Sequence, residues 1–330
     1  MAIDLTRLPA PAIIEPLDYE ALLAEYKAQL LQLAPAELRD SLAAALQLES
    51  ESLTLLLELA AYRDLLQRQR INEAAKASLL AYAEKTDLDN RAADYGVQRL
   101  LIQPANPDAT PPTDAIWESD ERLRYRAQMA LEGLSVAGSR GAYEFHALRA
   151  SGDIAGAFID SPTFRAVAVP PAIAGQLPAG AIVLACDYAA GLDSPLPGDV
   201  SIAVLPRQGL DGADLPARVE LLLRDDDVRP ITDRPRALLG QAIPFEVDAT
   251  IEMEQGPDLD VVLKAAREAL ANMLAHTRQL HGEVARSAIF GALHVHGVRR
   301  VELRAPADDI RCDGRHYPDC RKVRLVRADA

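Results

Sequence analysis

At 330 residues the chain exceeds the roughly 250–300 residues at which one hydrophobic core stops growing, so two or more domains are expected. Its 35 Lys and Arg against 49 Asp and Glu leave a net charge of -14, which opposes phosphate backbones and anionic membranes and speaks against nucleic acid as a partner. Cys186, Cys312 and Cys320 are too few for a disulfide framework, and no apolar run approaches the roughly 18 residues of a membrane span. The start, MAIDLTRLPAPAI, has no cationic stretch leading into an apolar core, so synthesis and folding in the cytoplasm, without membrane insertion, are expected.

Residues 1–17 carry Pro9, Pro11 and Pro16 among isolated apolar residues, which disfavours helix and suits an extended arm laid on a neighbour. From Asp18 the period turns helical, with Leu22, Leu23, Tyr26 and Leu30 on one face and Pro35 allowing a fresh start. Leu38, Leu42, Leu46, Leu53, Leu57 and Ala60 follow at spacings of mostly four, and neither Pro nor Gly interrupts from Ala36 to Tyr82. One long helix or two closely apposed helices occupy this stretch, and a helical bundle region over 18–103 is expected. Leu42, Leu46, Leu53 and Leu57 lie on or near one stripe, which marks an interface unless the rest of the chain covers it. Thr86 with Asp89 resembles a capping box, Gly96 closes a short helix over 87–95, and the prolines of 104–112 predict an extended linker.

A linker and helix–loop–helix connector follows over 104–151. Trp117, the single tryptophan, sits at its start as a candidate anchor against a neighbouring domain. Ser119 or Asp120 caps a helix with Leu123, Ala127 and Leu131 on its apolar stripe, and Gly133 ends it. Gly138 and Gly141 bracket a loop that needs positive φ or close backbone approach, before Ala142, Tyr143, Phe145 and His146 open the next helix. Beyond it the character changes, and the fold class is α+β: the helical segment is followed by serial small α+β domains at 152–240 and 241–330. In the first, 153–159 and 200–205 read as strands and 217–223 as a helix. In the second, Phe245 to Glu254 alternates an apolar with a strongly acidic face, a long helix follows Pro257 and stops at His281-Gly282, Arg286–Leu293 is helical, and Val298–Leu303 is the last clear strand. Asp-Ser-Pro occurs at 160–162 and again at 193–195. The segment between, 163–195, reads as an inserted hairpin with apolar strands at 165–169 and 181–185.

The strongest metal-like cluster is Cys312, His316 and Cys320, with His294 and His296 upstream. A structural zinc site takes four N or S ligands, but the CxxC knuckle is missing and 313–319 reads as a turn, so a solvated C-terminal loop competes with it. Carboxylate runs such as Asp225 to Asp227 and Asp308-Asp309 are adjacent loop residues, whereas acid–base catalysis needs two carboxylates in different environments across a substrate. No GxSxG, HExxH or P-loop is present. No catalytic residue and no cofactor are assigned.

Five segments carry a resemblance. They are IDLTRLPAPAIIEPLDYEALLAEYKAQL at the start, RQRINEAAKASLLAYAEKTDLDNRAADYGVQRL, the run ESDERLRYRAQMALEGLSVAGSRGAYEFHALRASG over 118–152, Asp227-Val228-Arg229-Pro230 with Thr232-Asp233-Arg234, and RSAIFGALHVHGVRRVEL. In this order they resemble the baseplate J-like proteins of contractile-tailed temperate phages and R-type pyocins, whose members often run almost directly from Pro162 to the strand after Pro197, without the insertion. The resemblance implies a structural wedge subunit with no cofactor. Its implied partners are an I-type tail protein, other baseplate subunits and a second copy of itself. It also implies that the helical part joins a bundle and that the later domains link wedges into a ring around the central spike. The implied location is the host cytoplasm during assembly, then the baseplate of the released particle. Two other readings stand beside it: a metal-dependent phage-associated enzyme using the Cys/His cluster, and a helical scaffolding adaptor unrelated to tails.

Overall fold

Apolar residues at helical spacing set the first part of the chain. In the computed structural model, which describes residues 11–135, 138–178, 180–225, 228–254 and 259–327, they form α1 (Tyr19–Leu33), α2 (Arg39–Ala45), α3 (Ser52–Ala77) and α4 (Lys85–Ala93). Asp18 caps α1 by accepting the Ala21 N–H at 3.0 Å. Of the two possibilities left open for 36–82, the chain takes separate helices, parted at 46–51. No capping box forms at Thr86: α4 begins one residue earlier, at Lys85, whose N–H is taken by the Asp120 carboxylate at 2.8 Å. Asp89 is drawn instead to Arg99 at 2.7 Å.

Residues 1–10 of the expected arm lie outside the described residues. Within the described part, Glu15 is held on the chain's own α3. Asn72 accepts the Glu15 N–H at 3.0 Å and donates to the Glu15 carbonyl at 2.8 Å, while Arg68 pairs with the Glu15 carboxylate at 3.1 Å.

The chain divides into two compact units, one made of residues up to Arg99 with Ser119–Gln128, the other of Leu100–Glu118 with everything from Met129. The stretch 104–151 is thus shared between them. Its first part is a hairpin and not an extended path: β1 (Leu101–Gln103) pairs antiparallel with β2 (Ile116–Trp117), and Asn106 bridges Thr113. Asn106 closes the turn by accepting the Asp108 N–H through its side chain, an Asx turn that bends the proline-rich segment back. Helix α5 (Asp120–Met129) belongs almost wholly to the helical unit, and its charges face inward. Arg124 donates to the carbonyls of Leu80 and Ala83, Arg126 to that of Gln98, and Asp120 pairs with Arg99 at 2.7 Å. Guanidinium groups here satisfy carbonyls of the loops that follow α3 and α4, which have no regular structure to pair them.

The second unit holds two hydrophobic cores, in keeping with the α+β class. In the first, α6 (Arg140–Arg149) and α8 (Leu215–Leu223) pack on a sheet of order β3-β6-β7 (Ile154–Asp160, Asp199–Pro206, Arg234–Leu239), burying Tyr143, Leu148, Ile159, Ile202, Val219 and Leu223 together. Strand β7 passes into β8 (Gln241–Met253) through Gly240 alone, whose N–H donates to the Val204 carbonyl at 2.8 Å. Strand β8 is the centre of the second sheet, order β10-β8-β12, with α9 (Leu259–Thr277) and α10 (Arg286–Leu293) over the face that carries Val247, Ala249 and Ile251. Strand β10 (Val298–Ala305) is antiparallel to β8, and a short pair β9 (Glu283–Val284) and β11 (Ile310–Arg311) lies beside them. The expected C-terminal loop is corrected. From His316 to Arg327 the chain is a strand, β12, parallel to β8.

The segment 163–195 contains a hairpin of β4 (Thr163–Val167) and β5 (Val183–Tyr188), with a one-turn helix, α7 (Pro171–Ala174), between them. Arg165–Asp187 at 2.8 Å spans it, and Tyr188 ties it to Asp160 at 2.5 Å. The paired strands end at Tyr188, before the second copy of the repeated tripeptide. Ala190 and Leu192 are buried, Ser201 donates to the Ala190 carbonyl and Arg236 to that of Asp193, so 189–195 is held against β6 and β7. Replacing Phe164–Asp187 by a two-residue turn should leave the melting temperature within a few degrees, since loop length costs only about 0.6 kcal/mol per doubling. Removing Thr163–Pro195 should destabilise the chain by about 3 kcal/mol or more through the lost burial of Leu192, read by urea denaturation of both deletions.

Candidate assembly interface

Helix α3 carries apolar residues on more than one side. Leu57, Ala61 and Leu65 face α1, where Leu22 and Leu23 with Tyr19 and Tyr26 cover them. The stripe expected as an interface is therefore largely turned inward: Leu46 is 2% exposed and Leu42, Leu53 and Leu57 are half-buried. For Leu57 the reason is that α1 needs an apolar face to pack on and takes the side of α3 that carries it. What remains in solvent is a different set, Leu55, Leu56, Leu59, Tyr62 and Leu66, with Leu59 57% exposed. Leu55, Leu59, Tyr62 and Leu66 recur at intervals of four, three and four, the spacing with which one helix seats against another. Sequence periodicity registered leucine every four residues but could not say which of two overlapping stripes the chain would cover.

Trp117 is 52% exposed on β2, opposite Leu101 in register and beside Ile116, both also exposed. With Leu101, its cross-strand partner, it forms a small apolar pair on the hairpin.

The glycine-spaced loop is a packing device. Val136 and Ala137 lie outside the described residues, but Gly138 has φ +72, and a Cβ there would meet the Asp233 carboxylate at 2.8 Å and Pro230 at 3.1 Å. Asp233 also accepts the Tyr143 hydroxyl at 2.7 Å; burial, and then this carboxylate, push the Tyr143 hydroxyl's pKa up, so it stays protonated as a donor. Two of the segments that carry the family resemblance, 118–152 and 227–234, are thus in contact. Gly141 differs, since its φ is ordinary and the close approach is to Glu132, at 2.7 Å from a Cβ. Gly133 ends no helix; it lies in a short 3-10 turn after α5 and makes room for the ring of Phe145.

The Cys312, His316 and Cys320 cluster does not assemble. The Cys312 N–H bonds to the Gly282 carbonyl, His316 is bound to Asp313 at 2.6 Å, and the Cys320 thiol points to the Lys322 carbonyl. Burial raises the pKa of both thiols, opposite to the thiolate a metal requires. Among the described residues no group of three His, Cys, Asp or Glu is placed to hold a metal ion, and Asp226 and Asp227 of the acidic run lie outside them. No helix among them is long and apolar enough to cross a membrane.

Residues 49–106, from the turn before α3 through β1, match the baseplate J-like N-terminal domain, and residues 245–326, which span the second core from β8 to β12, match the baseplate J-like protein C-terminal domain. Baseplate protein J of Escherichia phage P2 is 39% identical over 326 residues, covering 98% of this chain and 97% of that protein. The chain belongs to the baseplate J-like family. In this family member the exposed α3 stripe falls inside the N-terminal match, and Gly138 falls between the two matched regions.

Gly138 and Gly96 separate strain from crowding. Gly96 has nearly the same φ, +70, with nothing within 4 Å of a Cβ. Gly96→Ala should cost about 1 kcal/mol from backbone conformation alone. Gly138→Ala should cost at least about 2 kcal/mol, because Asp233 and Pro230 must also shift. Equal losses in urea titrations would mean that the Asp233 contact yields without cost.

Proposed function

We propose that the protein is a structural wedge subunit of the baseplate of a contractile tail or of an R-type bacteriocin. In this reading the helical unit seats against an I-type tail protein and a second copy of the chain, and the α+β cores link wedges into a ring around the central spike. It is made in the host cytoplasm and leaves in the baseplate of the released particle. The observation that supports this most is the exposed stripe of Leu55, Leu59, Tyr62 and Leu66 on α3, inside the region matched to the baseplate J-like N-terminal domain. Apolar residues at alternating intervals of three and four, left in water, call for a partner helix. The name of the P2 relative agrees with a structural role, and Trp117 and the Gly138 loop are further candidate contacts.

Co-expression with the I-type tail protein tests this. Leu59→Asp with Tyr62→Asp should reduce co-purification at least tenfold and leave the melting of the isolated chain nearly unchanged, because both side chains are already in solvent. Leu57→Asp should instead destabilise the isolated chain, since Leu57 packs under α1. Undiminished co-purification of the Leu59/Tyr62 variant would take this face out of the wedge.

A further inference from the structure

Strand β12 is an edge. Its inner side pairs with β8 over eleven positions, and from Tyr317 to Arg327 no described backbone group pairs with its outer side. Between this edge and α9 lies a groove of about 430 Å³, floored by Phe245 and Leu270 and walled by Arg267, Leu274, Cys320 and Val323. Val323 sits opposite Val247 on the helix-covered side of the sheet, yet it is 45% exposed. A free strand edge with a groove along it, apolar at its floor and polar at its rim, is the geometry that accepts one more strand. Alternate side chains of such a strand would drop into the groove, and those between would stand on the helix-free face.

The charges select the occupant. On the helix-free face β12 presents Lys322 and Arg324, opposite Glu246 and Asp248; the other edge strand, β10, carries Arg299, Arg300 and Arg304. Like charges keep two such edges apart, as edge strands generally require. An extended segment that is apolar at alternate positions and acidic between them fits instead. Residues 1–10, which lie outside the described residues, read MAIDLTRLPA: Ile3 and Leu5 flank Asp4, and Pro9 stops pairing. The segment is tied at its base, since Glu15 is held by Asn72 and Arg68 of its own α3. Fully extended, ten residues reach at most about 36 Å.

We propose that Ala2–Thr6 of one copy adds as a strand to the free edge of β12 in the next copy, with Ile3 and Leu5 in the groove beside Val323 and Asp4 beside Lys322 and Arg324. The assignment to a second copy rests on the baseplate reading, because an arm entering an edge of the following subunit is a head-to-tail contact and such contacts close rings.

Sedimentation of the purified full chain with two variants tests it. A chain lacking residues 1–10 keeps the groove and loses the arm, whereas Val323→Asp keeps the arm and spoils the groove. The full chain should associate with rising concentration, each variant alone should stay monomeric with unchanged melting, and their equimolar mixture should form a dimer and nothing larger. A mixture that stays monomeric overturns the proposal, as does a full chain monomeric at every concentration. If a labelled peptide of residues 1–10 binds the arm-deleted chain while the full chain is monomeric, the arm closes on its own copy and the second-copy assignment is wrong. Should Val323→Asp disturb the fold, Asp4→Lys leaves the core untouched. It should weaken association about fivefold, and Lys322→Glu should restore it; no rescue counts against the pairing. Variants that lose self-association yet still co-purify with the I-type protein localise the failure to this contact and leave the baseplate reading standing.

Discussion

Helix α3 has more apolar circumference than the other described residues cover, and the helical unit is organised around that imbalance. Its 26 residues are long enough to hold helical geometry along their length, but a helix within a protein owes most of its stability to packing. Here α1 lies along one side, and Asn72 with Arg68 holds the end of the arm along the same helix. The core so formed is small. Arg99, Arg124 and Arg126 therefore carry much of the joining, tying α5 to the ends of α3 and α4 through carbonyl and carboxylate contacts rather than through apolar contact. Such contacts contribute about 1.5–3 kcal/mol each when the charged group is well enclosed, and Arg126 is only 2% exposed.

How much could be read beforehand depended on how local the determinants were. Helix α10 was legible to the residue, Arg286–Leu293, because its apolar spacing and its neighbours decide it. Strand β8 was legible from alternation alone. Strand β12 was not. The stretch 313–319 read as a turn in a solvated C-terminal loop, and what makes the chain from His316 a strand is parallel pairing with β8, more than seventy residues earlier in the chain. The inward arginines of α5 were equally hidden, since a charged position on an amphipathic helix reads as wet until the partner carbonyls are known. For the assembly surface, periodicity found apolar stripes on α3 but not which one α1 would take. The Gly138 loop was recognisable by its residues, while its reason, the approach to Asp233 and Pro230, is a contact across ninety residues.

The charge distribution is uneven in a way the net value of -14 conceals. On the helix-free face of the second sheet an acidic β8 runs between basic neighbours, with Lys322 opposite Glu246, Arg324 opposite Asp248 and Arg300 opposite Glu252. Cross-strand pairs of this kind add a few tenths of a kcal/mol each at a wet surface. Their larger effect is on partner choice. Copies carrying the same net charge repel at a distance, and any contact between them must be made where the local pattern inverts the overall sign.

Gly240 gives the two cores a joint one residue long. The strand that ends the first sheet becomes the central strand of the second with no loop between, and the joint is closed on every side: its N–H is bonded to Val204, a Cβ would meet Leu280 at 2.8 Å, Gln241 donates to the Arg315 carbonyl, and Arg278 reaches from α9 to the Pro206 carbonyl at 2.9 Å. A connector of this kind has almost no slack. Tension applied to one sheet runs along covalent backbone directly into the middle of the other, loading the strand hydrogen bonds in shear along their length and not peeling them one at a time. Displacement along this strand in one sheet therefore enters the other with no loop between them to take it up.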